Sequence, residues 1–255
     1  MTDFFSPWCD PPTDKSVGGH TARVFASNDD AVGVAAVVAL LPQTYATTKN
    51  LELVAELRGK KGVAKLLSDK TPRTKTGRSG DMGEILGTEY VKTTLGYRTG
   101  PSRLIQRDHQ EWALRGDDVL GARMKGKKVE FVKVEAKSTI KAPKSLIKQA
   151  REGLLRNGDL ASPHSLAQFA ERLLETDEDL GRAINIVLLD DGLRSGQLAH
   201  VMFIFTENDS KIGDVIRDDL KAYSGKVKQT TVTVRVGAHK AFIAESYGQV
   251  IKHAP

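Results

Sequence analysis

The sequence predicts an α/β protein in which a mainly helical N-terminal region, residues 1–75, precedes a mixed-sheet core flanked by helices, residues 76–255. Two observations carry this. Beyond about residue 75, segments that alternate apolar and polar residues take turns with segments of helical periodicity, the order that builds a layered α/β core. Before it, apolar residues at helical spacing dominate, and the stretch Asp69-Lys-Thr-Pro-Arg-Thr-Lys-Thr-Gly-Arg-Ser-Gly80, with no apolar side chain except Pro72, separates the two as a linker.

The elements follow in chain order. Residues 1–20, with Pro7, Pro11, Pro12 and Gly18-Gly19, read as an extended or surface-docked arm. Asn28 or Asp29 is placed to cap a helix through Ala31–Leu41, which Pro42 interrupts, and Asn50 to cap a second through Leu51–Leu57. Ser79 or Asp81 caps a third helix, to about Leu95. Strands are expected at Ser102–Arg107 and Trp112–Ala122. The clearest strand is Val129–Lys137, in which Val132, Val134 and Ala136 share one face and Lys133, Glu135 and Lys137 the other. Pro143 opens a helix to about Arg156. Strands are then expected at Ala183–Leu189, Ala199–Phe205 and Thr230–Val236, with helices near Pro163–Glu175 and Lys211–Tyr223.

Composition narrows the function. The chain has 255 residues, 40% hydrophobic and 27% charged, which suits a folded core and excludes disordered and fibrous classes. The longest apolar run, Ala31–Leu41, is too short to cross a membrane, and no signal segment opens the chain. One cysteine, Cys9, excludes a disulfide framework and a cysteine zinc site, so a cytoplasmic, reducing setting is expected. The net charge of +6 is concentrated between Lys125 and Arg151, where eight Lys and one Arg face only Glu130 and Glu135. A local cationic patch is the footprint expected for a nucleic-acid partner, although a solvated helix face has the same composition.

Three motifs carry the candidate chemistry: Gly80-Asp-Met-Gly-Glu84-Ile at a helix start, Arg115-Gly-Asp-Asp118-Val-Leu, and Val134-Glu135-Ala-Lys137-Ser. Parity puts Glu135 and Lys137 on one strand face, and the turn Lys125-Gly126-Lys127 makes a hairpin between them and Asp118. Alone, Glu-x-Lys in a strand reads first as an exposed cross-strand ion pair. Glu84 lies beside the row Gly83, Gly87 and Val91, where small residues let a helix approach a sheet. The helix's apolar arc is Met82, Ile85, Leu86 and Tyr90, which would leave Glu84 facing solvent. Asp117 competes with Asp118 and is read as an exposed turn residue.

In this order the motifs resemble the PD-(D/E)XK nuclease superfamily, and more closely the HamA-like family, the nuclease subunits of the Hachiman antiphage defence system. The resemblance rests on about residues 80–140. It implies a restriction-endonuclease-like core and metal-dependent cleavage of DNA phosphodiester bonds. It also implies Mg2+ or Mn2+ held by Asp118, Glu135 and Glu84, with Lys137 orienting or deprotonating water or neutralising developing charge. A helicase partner that restrains or delivers the nuclease is implied as well; this chain has no G-x-x-x-x-G-K-[ST] of its own. Ser138, Lys141, Lys144, Lys148 and Gln149, following Glu-x-Lys, are candidates for contact with the nucleic-acid backbone.

Competing readings have less support. Gly59-Lys-Lys-Gly62 is like the GXXG loop of KH domains, yet its flanks are helix and linker rather than strands. His20, His109, His164, His200, His239 and His253 show no paired metal spacing, and no G-x-S-x-G occurs. His109 is read as a loop residue and Trp112 as core. The main alternative is a non-catalytic nucleic-acid-binding adaptor that uses the basic stretch 125–151; a metal phosphoesterase of small substrates is a third reading.

Overall fold

A computed structural model describes residues 3–110, 112–113, 116–190, 192–208 and 211–252. Its elements are β1 (Thr13–Val17), β2 (His20–Ala26), α1 (Asp30–Tyr45), α2 (Thr48–Lys70), α3 (Lys75–Glu89), a 3-10 turn (Arg103–Ile105), β3 (Arg107–His109) and β4 (Trp112–Ala113). They continue with β5 (Val119–Lys125), β6 (Lys128–Ser138), α4 (Lys144–Leu155), α5 (Pro163–Leu174), α6 (Glu178–Leu189), β7 (Leu198–Glu207), α7 (Ile212–Ala222), β8 (Lys228–Val236) and α8 (His239–Lys252). Arg115 and His253 lie outside the described residues, as do the side chains of His109 and Trp112.

The expected mixed sheet with helices on both faces is present. Six strands run in the order β1-β2-β8-β7-β6-β5, with β2, β8, β7 and β6 mutually parallel and β1 and β5 antiparallel at the edges. One face buries Val132, Val134, Phe203, Phe205 and Val234 against α1, α3 and α8. The other buries Met202 and Ile204 against Ile147 and Leu154 of α4 and Ile216 and Leu220 of α7. Helices α5 and α6 close the β5 side over Leu120, Ala122 and Phe131. No single helix among the described residues is long and apolar enough to cross a membrane.

Several elements differ from expectation, each for a physical reason. Residues 3–20 are not an extended arm. Phe5 and Trp8 are fully buried, and β2 pairs with β8, Thr21 opposite Thr230, a partnership between distant segments that local periodicity does not encode. Pro42 does not interrupt α1 but sits in its last turn. The cap of α2 is Thr47 rather than Asn50, and that of α3 is Thr74 rather than Ser79 or Asp81, so the second half of the expected linker is helical. Gly59 lies in the left-handed region at φ 59° and kinks α2, so Gly59–Gly62 is a bend within a helix. Residues 183–189 are helix, not strand: Asp177 caps α6 by accepting from Leu180 N, and only Leu180, Gly181 and Ile184 are buried, at helical spacing. Ser102–Arg107 contains the 3-10 turn in place of a full strand.

One core histidine makes stability depend on pH. His200 of β7 has no solvent exposure; its Nε2 is 2.8 Å from the Asp159 carbonyl, and its Nδ1 has no partner among the described residues. Burial is the main cause that pushes its pKa from 6.5 down to about 4, with Lys133 adding to it and the Asp159 carbonyl opposing. Between these values the unfolded chain binds the proton and the folded chain does not, so stability falls as pH drops through that window, by roughly 3 kcal/mol in all. Urea midpoints of wild type and His200→Gln are expected to diverge less near pH 5 than near pH 7, because the wild type alone loses this term on acidification.

Candidate active site

The register of β5 on β6 builds the site. Val119 lies opposite Val134, so Asp118 precedes the first paired residue, and its Oδ2 accepts the Ala136 N–H at 2.9 Å, extending the ladder by a side chain. Asp118 thus sits at the C-terminal end of β6, where Glu135 and Lys137 emerge. Glu135 is 6% exposed, and its Oε1 accepts from Lys137 Nζ at 2.7 Å. Its carboxylate lies against Gly153 of α4 so closely that a Cβ there would collide with it. Glu135-x-Lys137 is therefore a half-buried pair under a helix, not an exposed cross-strand pair.

Glu84 does not face solvent. Its carboxylate is held by two hydrogen bonds from Arg103, Nε to Oε2 at 2.8 Å and Nη2 to Oε1 at 2.7 Å, and the same Nη2 lies 3.3 Å from Asp118 Oδ1. Helix α3 presents Glu84 there by packing close to the end of β6: a Cβ at Gly83 would stand 3.4 Å from the Lys137 backbone, in ordinary van der Waals contact. Burial pushes Glu84 up to about 7, with Arg103 opposing and Asp118 and Asp81 adding. Burial likewise raises Glu135, and Asp118 adds to it against the pull of Lys137. Asp118 thus acts electrostatically on both glutamates.

The remaining predicted residues divide sharply. Lys141, Lys144, Lys148 and Gln149 are exposed, on and before α4, and Lys148 stands 3.9 Å from Glu152. The Ser138 hydroxyl is engaged within the protein, 2.8 Å from both Ser79 Oγ and His239 Nε2. Asp117 is not an exposed turn residue. Its side chain is 7% exposed, Oδ1 is 3.3 Å from Lys133 Nζ, and Oδ2 accepts from Ser162 N. Lys133 is wholly buried and also donates to the carbonyls of Leu154 and Leu160. Arg151, counted in the basic stretch, is likewise buried, paired with Asp219 and Gln229. The sequence reading missed Arg103, Gly153, His239 and the Asp117–Lys133 pair, none of which has a spacing signature.

The donor set is three carboxylates whose mutual repulsion a cation relieves, which is the oxygen chemistry Mg2+ and Mn2+ take. Between Glu84 and Asp118 that cationic role is filled by the Arg103 guanidinium. Among the described residues, no three His, Cys, Asp or Glu side chains close into a metal cage.

Two outcomes separate scaffold from site. Asp117→Asn, which strips a buried lysine of its counter-ion, is expected to cost roughly 3 kcal/mol in urea unfolding, whereas Asp118→Asn stays within about 1 kcal/mol. Gly153→Ala, normally favourable in a helix, is expected to destabilise by about 1–3 kcal/mol in the wild type and to become neutral or stabilising in a Glu135→Ala background, since only the carboxylate obstructs the methyl.

A family profile described as HamA matches residues 2–250. No curated protein matches the chain. With nearly all of its length matched, including the segments that carry Glu84, Asp118, Glu135 and Lys137, the chain belongs to the HamA family, the protein family of the Hachiman antiphage defence system.

Proposed function

We propose that this protein is a metal-dependent DNA endonuclease or nickase with a PD-(D/E)XK-type site, acting in antiphage defence and restrained or delivered by a helicase subunit. The observation that carries the reading is the pairing of β5 with β6, which joins Asp118 to Glu135-x-Lys137 through the Asp118–Ala136 hydrogen bond. Family membership supports the defence role, and the resemblance of the three motifs supports the helicase partner.

The residues divide the work as follows. Asp118 and Glu135 would hold Mg2+ or Mn2+, with Glu84 as a further carboxylate toward the ion. The bound ion supplies Lewis acidity toward a phosphoryl oxygen and lowers the pKa of a coordinated water. Lys137, with a side chain 24% exposed, keeps its ammonium beside Glu135 and is available to orient the attacking water or neutralise charge on the phosphorane-like transition state. Burial excludes bulk water from Glu135 and strengthens each of these interactions. Arg103 adds a second cation next to the carboxylates, bound to Glu84 and Asp118.

The second reading, a non-catalytic adaptor, draws on the exposed Lys141, Lys144 and Lys148. The two separate in one assay. Supercoiled plasmid incubated with Mg2+, Mn2+ or EDTA, with and without the cognate helicase subunit, is expected to be nicked or cut only with metal. Glu135→Ala and Lys137→Ala should each reduce the rate by about a hundredfold or more. Metal-independent retention of DNA without any cutting, in both the free and the partnered state, would instead select the adaptor.

A further inference from the structure

The phosphodiesterase reading leaves one half-buried cation, Arg172, without a role. Arg172 lies on α5, and its Nε is buried with no hydrogen-bond partner among the described residues. A guanidinium keeps its proton and has five N–H donors, so a buried Nε–H without a partner is costly unless a ligand provides one. Arg172 lines a cavity of about 580 Å3 that also includes Ser102, Arg103, Gln168, Glu84 and Asp118. A volume of this order accommodates a nucleotide-sized group.

The wall around Arg172 is built firmly. Gly100 packs on α5, where a Cβ would stand 3.4 Å from Leu173 Cδ2 and 3.8 Å from Arg172 Cβ. The segment leading from it is pinned in turn: Ser102 Oγ accepts from Leu104 N, Leu104 is buried, and Lys70 Nζ donates to the Ile105 carbonyl. Arg103 is thereby held near Arg172, and the two repel. Burial lowers the pKa of Arg172, the charge of Arg103 lowers it further, and Glu171 offsets this only in part. Of the two, Arg103 is committed to Glu84 and Asp118. Two guanidinium charges on one wall, one of them with an unpaired donor, make a local cationic spot for an anion in a cavity whose remaining lining includes Glu84, Glu89, Asp117, Asp118, Glu175 and Asp177.

We propose that Arg172, together with Arg103, forms a phosphate subsite, receiving the backbone phosphate of a nucleic-acid strand in the cavity that ends at Glu84 and Asp118. The identity of the anion rests on the nuclease reading above; the subsite itself rests on the cavity. The strand then runs along α5 and the 3-10 turn, away from the lysines of α4. A phosphate on Arg172 also draws the Arg103 guanidinium, loosening its hold on the two carboxylates when substrate arrives.

The test is fluorescence anisotropy of the full chain with a fluorescein-labelled oligothymidylate in EDTA, as a function of salt, beside thermal melts. Arg172→Met is expected to weaken binding about tenfold and to lower the slope of log K against log salt by about one. Its melting temperature should hold or rise, because a buried unpaired N–H and the repulsion from Arg103 are removed. Arg172→Lys should keep most of the slope with intermediate affinity, and Lys148→Met should change little. An unchanged slope in Arg172→Met, no binding by the wild type, or a slope carried by Lys144 and Lys148 instead would overturn the subsite. Plasmid cleavage distinguishes the two claims: the expected slope change with no cutting rejects the nuclease and keeps the subsite, whereas cutting with an unchanged slope rejects the subsite alone.

Discussion

Glu84 arrives on a helix and Asp118 at a strand end, and they approach each other where little water reaches, so the Arg103 guanidinium between them is the interaction on which the rest of the site depends. Without a cation, bringing the two carboxylates together in a medium of low effective dielectric would drive one of them to protonate. Glu84 shows how close this balance is, since burial carries it to about 7 even with two hydrogen bonds from Arg103. The guanidinium meets Glu84 through two parallel N–H donors, the geometry in which arginine is strongest. It is held there by a loop whose Leu104 is in the core, so the countercharge is part of the scaffold rather than a passing side chain.

The sheet determines which end of the molecule bears chemistry. Along β6, residues on the α4 face become progressively wetter, from Lys133 at 0% to Glu135 at 6% to Lys137, whose side chain is 24% exposed. The strand thus passes from structural cation to buried carboxylate to accessible ammonium within five residues. In open sheets with parallel central strands, sites form beyond the strands' carboxyl ends, where the connections to helices splay apart. Asp118 reaches the same end because β5 is antiparallel and enters there. A glycine permits the close packing on one face, where the bare Cα of Gly153 leaves room for the Glu135 carboxylate.

The parts of this arrangement legible in the sequence are those governed by local periodicity. β6 alternates with period two, and Glu135 and Lys137 could be put on one face before any coordinates existed; α4, α5 and α7 likewise have one apolar stripe each. What could not be read depends on partners distant in the chain. The N-terminal segment became a pair of strands because β8 offers β2 a parallel edge some two hundred residues later. The run Ile184-Asn-Ile-Val-Leu-Leu189 has the composition of a buried strand, yet a capped helix claims it and leaves Leu189 83% exposed. Arg103 and Asp117 were hidden for the same reason: an arginine in a short turn and an aspartate beside another acquire meaning only from the Glu84, Asp118 and Lys133 that fold against them.

Counting charges along the chain and counting partners in space lead to different conclusions about where this protein meets a polyanion. The stretch Lys125–Arg151 supplies most of the positive charge, but Lys133 and Arg151 are buried and neutralised, Lys125 bonds Glu130, and Lys137 bonds Glu135. Their charge is consumed inside the protein, Lys133, Lys125 and Lys137 around β5, β6 and α4 and Arg151 between α4, α7 and β8. A cation already hydrogen-bonded by a carboxylate must break that contact to bind a phosphate, and the exchange returns little net free energy. The half-buried Arg172 guanidinium has no carboxylate contact to lose, and the desolvation of its Nε is already accounted for in the folded state, so an arriving phosphate gains more from the new bonds. The same unpaired charge lowers stability before the ligand arrives, which is the usual relation between a preorganised binding site and the fold that carries it. Recognition in this molecule is therefore expected where a charge lacks a partner, beside the acidic centre, and not where lysines are densest in the sequence.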